Sequence, residues 1–392
     1  MRKRKRSLSV IIFAMVTTLA LLVSGCGTTQ QGTASTGGAT GTPSGGDTAA
    51  EMISIGASFP LTGTIAADGQ TCVDAINLAI KQVNEAGGID GRMLTLITED
   101  DEGSPTSAAS IANKFVDKSE ILAVISSYNS SCMLAQVDTY KDGKLPAISP
   151  VATTPALTGC SDYFYRTAPN DSDCGSYAAE FLEAQGITKV ALFYENDDYG
   201  LGIADPFEKK CEELGIEIVT TQTYVYGETV DYSTQLTATS ASGAEAIFIA
   251  GCVTEQGLIC DQRDDYGCGD MLILCGNGGY APALLGYDTE GVYVQGEFDK
   301  ELSETAKEFV QAFTDEYGYE PGNWAASAYD ATQIVIEAMK NCGGDLSRES
   351  INEQISIITY DGVCGTYTFE NCNSSKDELM FKITDGAFVL QE

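Results

Sequence analysis

The chain has 392 residues, 43% hydrophobic and 20% charged, with 56 Asp+Glu against 22 Lys+Arg and a formal net charge of −34. That length predicts about two domains, and the composition belongs to a globular protein rather than a disordered or fibrous one. So acidic a chain lacks the cationic footprint that nucleic-acid phosphates require, and the absence of histidine removes Ser-His-Asp and Cys-His catalysis.

Residues 2–6 form a five-charge basic block, residues 8–23 are mostly apolar, and Ser24-Gly25-Cys26 follows. This is the order of a secretory signal. Leu22-Val23-Ser24-Gly25-Cys26 resembles a lipobox, so residues 1–25 read as a lipoprotein signal peptide and Cys26 as the lipidated mature N-terminus. The apolar run is short for an uncleaved anchor. Residues 26–51 are dominated by Gly, Thr, Ser, Ala and Gln, the composition of a flexible tether. The body is thereby placed outside the cell, held at the membrane face by lipid, with more than one acyl chain expected. Without the signal, 17 Lys+Arg face 56 Asp+Glu, near −39, a charge that favours solubility and identifies no partner.

The body opens with a predicted strand, Ile53–Phe59, and an amphipathic helix over 71–86 whose apolar face is Cys72, Val73, Ile76, Ala79, Ile80 and Val83. Gly87-Gly88 stops that helix. A strand at Leu94–Thr98 and a helix capped by Ser104 or Thr106 follow. Then come a strand at Leu122–Ile125, a turn rich in hydroxyls (Ser126, Ser127, Asn129, Ser130, Ser131), a helix, a strand at Ala147–Ile148, and a second such turn with Ser149, Thr153 and Thr154. In an open parallel sheet, ligands bind beyond the carboxyl ends of the strands, where helix N-termini present free N–H groups. Two such turns in tandem suggest one anion-friendly wall. Taken singly, each turn is also what helix capping produces.

The alternation restarts further on, with strands at Val190–Tyr194, Ile216–Thr223, Ala246–Ile249, Met271–Cys275 and Gly291–Gln295. Helices are predicted at 203–214, 234–240, 303–317 and 325–341, and strands at 363–369 and 379–389. The chain thus holds two similar α/β units, and the residues beyond about 298 supply helices that the first unit lacks.

Catalytic motifs are scarce. There is no GxxxxGK[ST] loop. Gly276-Asn277-Gly278-Gly279-Tyr280-Ala281 matches a dinucleotide-type glycine pattern, but late in the chain and without a ribose-binding acid. Cys252, Cys260, Cys268 and Cys275 lack zinc-site spacing, so no metal or other cofactor is expected. With Cys26 set aside, twelve cysteines remain of 13. An even number in an exported protein suits disulfides, with Cys364 and Cys372, and Cys160 and Cys174, close in sequence. Buried free thiols are the alternative.

Further residues carry a resemblance over nearly the whole body. They are Ile55-Gly56 with Pro60-Leu61-Thr62-Gly63, residues 84–92 (NEAGGIDGR), Asp100-Asp101, residues 148–158 (ISPVATTPALT), Arg166-Thr167, residues 197–200 (DDYG), residues 231–233 (DYS) and residues 328–331 (AYDA). In this order behind a lipobox, the chain resembles the branched-chain amino-acid-binding (Leu/Ile/Val-binding) family of ABC-transporter substrate-binding lipoproteins. The resemblance implies a type I periplasmic-binding fold, two Rossmann-like α/β lobes joined by three hinge crossings near 170, 298 and 378. Lobe 1 would be 52–170 with 298–378, and lobe 2 would be 171–297 with 379–392. It implies binding without catalysis: a small amino acid, branched-chain or another aliphatic or aromatic one, closed between the lobes of a monomer and delivered to ABC permease subunits. Ser130, with Ser131 beside it, and Ala152-Thr153 match the positions that hold the ligand α-carboxylate. Tyr199, and Cys252 or Val253, match facing positions where the family often has aromatic residues, and Tyr128 replaces a small aliphatic residue. Asn277 stands where the family often has an acid paired with the ligand ammonium, so either Glu255 or Asp171 takes that role or the ligand is not a standard α-amino acid. A sensor of the same fold, or a receptor for an amide, urea or small carboxylate, is the alternative.

Overall fold

The computed structural model describes residues 52–376 and 378–391. The signal segment, Cys26 and the tether lie outside the described residues.

The first sheet contains β1 (Ile53–Phe59), β2 (Leu94–Asp100), β3 (Ile121–Ser126), β4 (Ala147–Ser149) and β5 (Phe164–Arg166). They run in the order β2-β1-β3-β4-β5, all parallel. All seven residues of β1 are buried, as expected of a strand covered on both faces by crossover helices. The strand order reverses between β1 and β3, so the free crevice of this sheet lies where Phe59 and Ser126 end.

Helices α1 (Ala66–Glu85), α2 (Pro105–Val116) and α3 (Ser130–Asp142) make the crossovers. α1 begins five residues earlier than its apolar stripe predicts, and it stops at Gly87 and Gly88, whose φ values of 102° and 76° suit glycine. Ser104 caps α2. Among the elements that the sequence reading missed are β5 and α4 (Asp171–Ala184).

The second sheet contains β6 (Lys189–Glu195), β7 (Glu217–Tyr224), β8 (Ala246–Ala250), β9 (Leu272–Cys275) and β10 (Tyr293–Gly296). Its connecting helices are α5 (Asp198–Leu214), α6 (Ser233–Ser242) and α7 (Val253–Gln262). After β10 the chain forms α8 (Glu304–Tyr317), α9 (Asn323–Asn341) and α10 (Arg348–Ser356). Two short pairings follow, β11 (Tyr360–Gly362) with β12 (Gly365–Tyr367), and β13 (Phe369–Glu370) with β14 (Asn373–Ser374). Finally β15 (Leu379–Thr384) and β16 (Ala387–Leu390) join the second sheet, whose order is β16-β15-β10-β9-β8-β6-β7. Residues 379–389, predicted as one strand, are therefore a hairpin: Asp385 and Gly386 both take positive φ, 51° and 70°, the requirement of a tight two-residue turn. The predicted strand at 363–369 is likewise broken into β12 and the start of β13.

α9 returns to the first sheet and packs along α1. With 14 of its 19 residues buried, it is apolar on nearly every side, as befits a helix enclosed by neighbours. The main hydrophobic core runs from β1 and α1 through α9 into β8, β9 and β10. Separate clusters fill the far face of each sheet. All twelve cysteines among the described residues are free, so the disulfides suggested by their even number are not formed. Cys372 turns its Sγ to the carbonyl of Ser161, and the Cys174 thiol donates to Glu378 at 2.6 Å. Among the described residues no helix is long and apolar enough to cross a membrane.

Candidate functional site

The carboxyl ends of the two sheets face each other, and most of the hydroxyl-rich first wall is occupied with holding itself together. Asp101, after β2, accepts from Ser58 (3.0 Å) and Ser127 (3.3 Å), tying the ends of β1 and β3. Ser126 donates to Gln136 Oε1 at 2.7 Å, and Gln136 Nε2 donates to Ser58 Oγ at 3.1 Å. Ser149 donates to the Ser127 carbonyl and accepts from the Ala152 N–H at 2.9 Å. What this network leaves over is specific. Ser130 Oγ accepts the Thr154 N–H at 3.3 Å and keeps its own hydrogen available. Asn129 Oδ1 and Thr153 Oγ1 are buried without a hydrogen-bond partner.

The second turn is shaped by a residue that sequence reading valued only as part of a motif. Arg166 is fully buried; its Nη1 donates to the carbonyls of Thr153 (2.7 Å) and Thr154 (2.8 Å), and its Nη2 to Thr158 Oγ1 (2.8 Å). A guanidinium suits this task because it offers several donors in a fixed plane. Asp171, at the start of α4, is also fully buried, and burial pushes its carboxyl up to about 8 although Thr153 and Arg166 act to lower it. Helix α5 packs closely here: a Cβ on Gly202 would sit 2.8 Å from Asp171 Oδ2 of α4 and 3.0 Å from Pro155 Cδ of the second hydroxyl turn.

The facing wall comes from the ends of β6, β8 and β9. Asp197 caps α5 by accepting the N–H groups of Tyr199 (3.0 Å) and Gly200 (2.9 Å). The Tyr199 hydroxyl donates to Asn277 Oδ1 at 2.9 Å and accepts the Gly278 N–H at 3.2 Å. Asn277 Nδ2 donates to Cys174 Sγ at 3.3 Å, so both ends of the Asn277 amide are engaged by protein. Between the walls is a small cavity of about 20 Å³, room for about one water. A ligand of amino-acid size enters only when the walls part.

Tyr128, Ser130, Tyr199 and Cys252 of the sequence-derived set line this cavity. Thr153 and Ala152 lie fully buried just behind it, Ser131 is half-buried on α3, and Asn277 stands behind Tyr199. The cavity also takes Trp324 at the start of α9, with Glu195 and Asp197; none of the three stood out in the sequence as a ligand contact. A charged residue closing the apolar strand Val190–Tyr194 was the signal for Glu195. Trp324 carried none beyond being the one tryptophan of the chain.

The electrostatics of the facing wall are one-sided. Glu195 and Glu255 are each 1% exposed, and burial raises both carboxyls, that of Glu195 well above its ordinary value with Asp197 and Glu255 adding to the rise. Asp68 is pushed up to about 6 by burial and by Glu255. Glu255 Oε1 accepts the Gly227 N–H at 2.9 Å, but Glu255 Oε2, Glu195 Oε2 and the Tyr226 hydroxyl have no partner.

A larger groove of about 630 Å³ between residues 154–156 and helices α4 and α5 is open to solvent and shares only Thr154 with the hydroxyl-rich turns.

Comparison with known proteins places this geometry. A sequence model described as a periplasmic binding protein matches residues 52–381. The Leu/Ile/Val-binding protein homolog 1 of Brucella abortus is 28% identical over 351 residues, covering 88% of this chain and 93% of its own. The crystal structure of the branched-chain amino acid transporter substrate binding protein LivJ from Streptococcus pneumoniae, in complex with isoleucine, superposes with a TM-score of 0.80 at 29% identity, covering 87% of this chain and all (100%) of that one. An ABC transporter substrate-binding protein from Desulfitobacterium hafniense in complex with Leu gives a TM-score of 0.74 at 29% identity over the same shares, 87% and 100%. With two α/β sheets meeting at their carboxyl ends and a match across nearly all of the described residues, the chain belongs to the periplasmic binding protein family.

Proposed function

We propose that this protein is an extracytoplasmic substrate-binding lipoprotein of an ABC importer that closes two lobes on a small amino acid. The observation that carries this reading is the cavity between the carboxyl ends of the two sheets, with the Ser130 hydroxyl on one wall and Tyr199 on the other. Ser130 and the Ala152-Thr153 turn are the groups proposed to hold an α-carboxylate through hydroxyl and N–H donors. Thr153, with the buried Asp171 carboxyl beside it, is proposed for the α-ammonium in place of Asn277. Ser131, Tyr128 and Cys252 complete the proposed pocket.

The chain passes between its sheets after β5, after β10 and before β15. These crossings are the proposed hinges near 170, 298 and 378, dividing lobe 1 (52–170 and 298–378) from lobe 2 (171–297 and 379–392). The closed form, recognised by the permease, would present both lobes together, and Cys26 would tether it by lipid to the outer membrane face.

The test is a ligand screen read by the fluorescence of Trp324, which lines the cavity and is the sole tryptophan. An amino acid that shifts the emission should also raise the melting temperature with concentration. A screen in which amides, urea or small carboxylates act and amino acids do not would sink this reading.

A further inference from the structure

Resting on the amino-acid reading of the cleft, the structure adds the class of side chain. We propose that the ligand carries a second positive charge, an ammonium or guanidinium at the end of its side chain, received by Glu195 with Glu255 and Asp68 around it.

The argument begins with where the acids lie. Glu195 ends β6, Glu255 is in the first turn of α7, and Asp68 is in the first turn of α1. Glu255 acts on both Glu195 and Asp68, so the three carboxyls, from three elements, lie close together. Glu195 lines the cavity itself, is 1% exposed, and keeps Oε2 without a partner. Glu255 Oε2 and the Tyr226 hydroxyl are likewise unpartnered, and Tyr226 lies within electrostatic reach of Asp68, Glu195 and Glu255. None of the three carboxyls pairs with a lysine or arginine among the described residues.

Buried carboxylates are stable only when paired or protonated. A neutral aliphatic side chain supplies neither charge nor hydrogen-bond donors, and would leave these oxygens enclosed on closure. A zwitterionic α-amino acid brings one ammonium and one carboxylate, with no net charge to offset this wall. Its ammonium also has its own acid, Asp171, on the Thr153 side. Tyr199 lies within electrostatic reach of both acidic groups, Asp171 and Glu195. The Glu195 group is therefore free for a different cation, and the surrounding rings of Tyr128, Tyr199 and Trp324 offer apolar walls for the methylene stem that precedes it.

The experiment is a Trp324 fluorescence titration of the purified protein with arginine, lysine, leucine and citrulline, the last keeping the shape of arginine without its charge. Arginine or lysine should bind at least about 10-fold tighter than leucine, and arginine about 30-fold tighter than citrulline, the loss expected when a buried charged contact forfeits its partner. Glu195→Gln, with an unchanged melting curve in the absence of ligand, should lose a similar factor for the basic ligand and little for citrulline. Glu255→Gln provides the same reading if the first variant does not fold. Leucine or citrulline binding as tightly as arginine would overturn the inference while leaving the amino-acid receptor standing. No response to any amino acid would overturn both.

Discussion

The hydroxyl of Tyr199 and the amide of Asn277 are joined at 2.9 Å, and the other end of that amide reaches Cys174. Asn277 thus works as a brace that fixes the ring of Tyr199 at the cavity while tying the end of β9 to α4. Replacing it by aspartate keeps the acceptor for Tyr199 but removes the donor to Cys174 and buries a charge near Glu378. Asn277→Asp should destabilise the fold at neutral pH by about 2–4 kcal/mol, seen as a lower denaturant midpoint with an unchanged slope. A variant as stable as the parent would show that the brace does not matter.

Arg166 presents a sharper case. Its removal in Arg166→Met takes the short guanidinium hydrogen bonds from the Thr153 and Thr154 carbonyls and from Asn373 Oδ1 and takes a cation from beside Asp171. The expected cost is about 3–5 kcal/mol, read by urea unfolding, together with weaker ligand binding because the 153–155 turn is no longer pinned.

Gly202 tests closure. A methyl group there meets Pro155 of the proposed first lobe at 3.0 Å, so Gly202→Ala should hold the lobes slightly apart. Binding should weaken by roughly 10-fold, about 1.4 kcal/mol. The radius of gyration with saturating ligand should stay nearer that of the free protein in small-angle scattering, and a parent-like affinity would count against closure at this contact.

The pH dependence follows from carboxyls raised by burial: Asp68 to about 6, Glu297 to about 7, and Asp171 and Glu378 to about 8. Each binds its proton more tightly folded than unfolded, so between the ordinary carboxyl range and these values the native state holds more protons. Stability then falls as pH rises through this window. The ligand-free protein should melt at a higher temperature at pH 5.5 than at pH 8, and self-repulsion of a chain at −34 acts in the same direction. Asp171→Asn with Glu378→Gln should flatten the slope between pH 6 and 8. An opposite slope in the parent would contradict the assigned shifts.

The fold was legible wherever one chemistry dominated a stretch. The buried run of β1 and the apolar stripe of α1 are local signals, and both stand where periodicity placed them. α4 was not legible, because its sequence DSDCGSYAAEFLEA scatters small and polar residues and its buried face is built on close approach to α5: a Cβ on Gly175 would come within 2.4 Å of the Ile203 carbonyl. α5 begins at Asp198 rather than 203 because Asp197 caps it. At the site, the two hydroxyl turns were visible, but which hydroxyls remain available was not. That depends on Asp101 and Gln136, which reach Ser58, Ser126 and Ser127 only in three dimensions. Glu195 and Trp324 join the cavity for the same reason, from elements far apart in the chain.

The return of α9 to pack on α1 has a consequence for biogenesis. A chain made N-terminus first completes β1 to β5 long before residues 323–341 arrive to cover α1. Until then the apolar flank of that helix has nothing to rest against, and contacts that span some 250 residues form late and slowly. Residues 323–341 therefore act as a latch, and a chain truncated before them leaves the α1 flank uncovered.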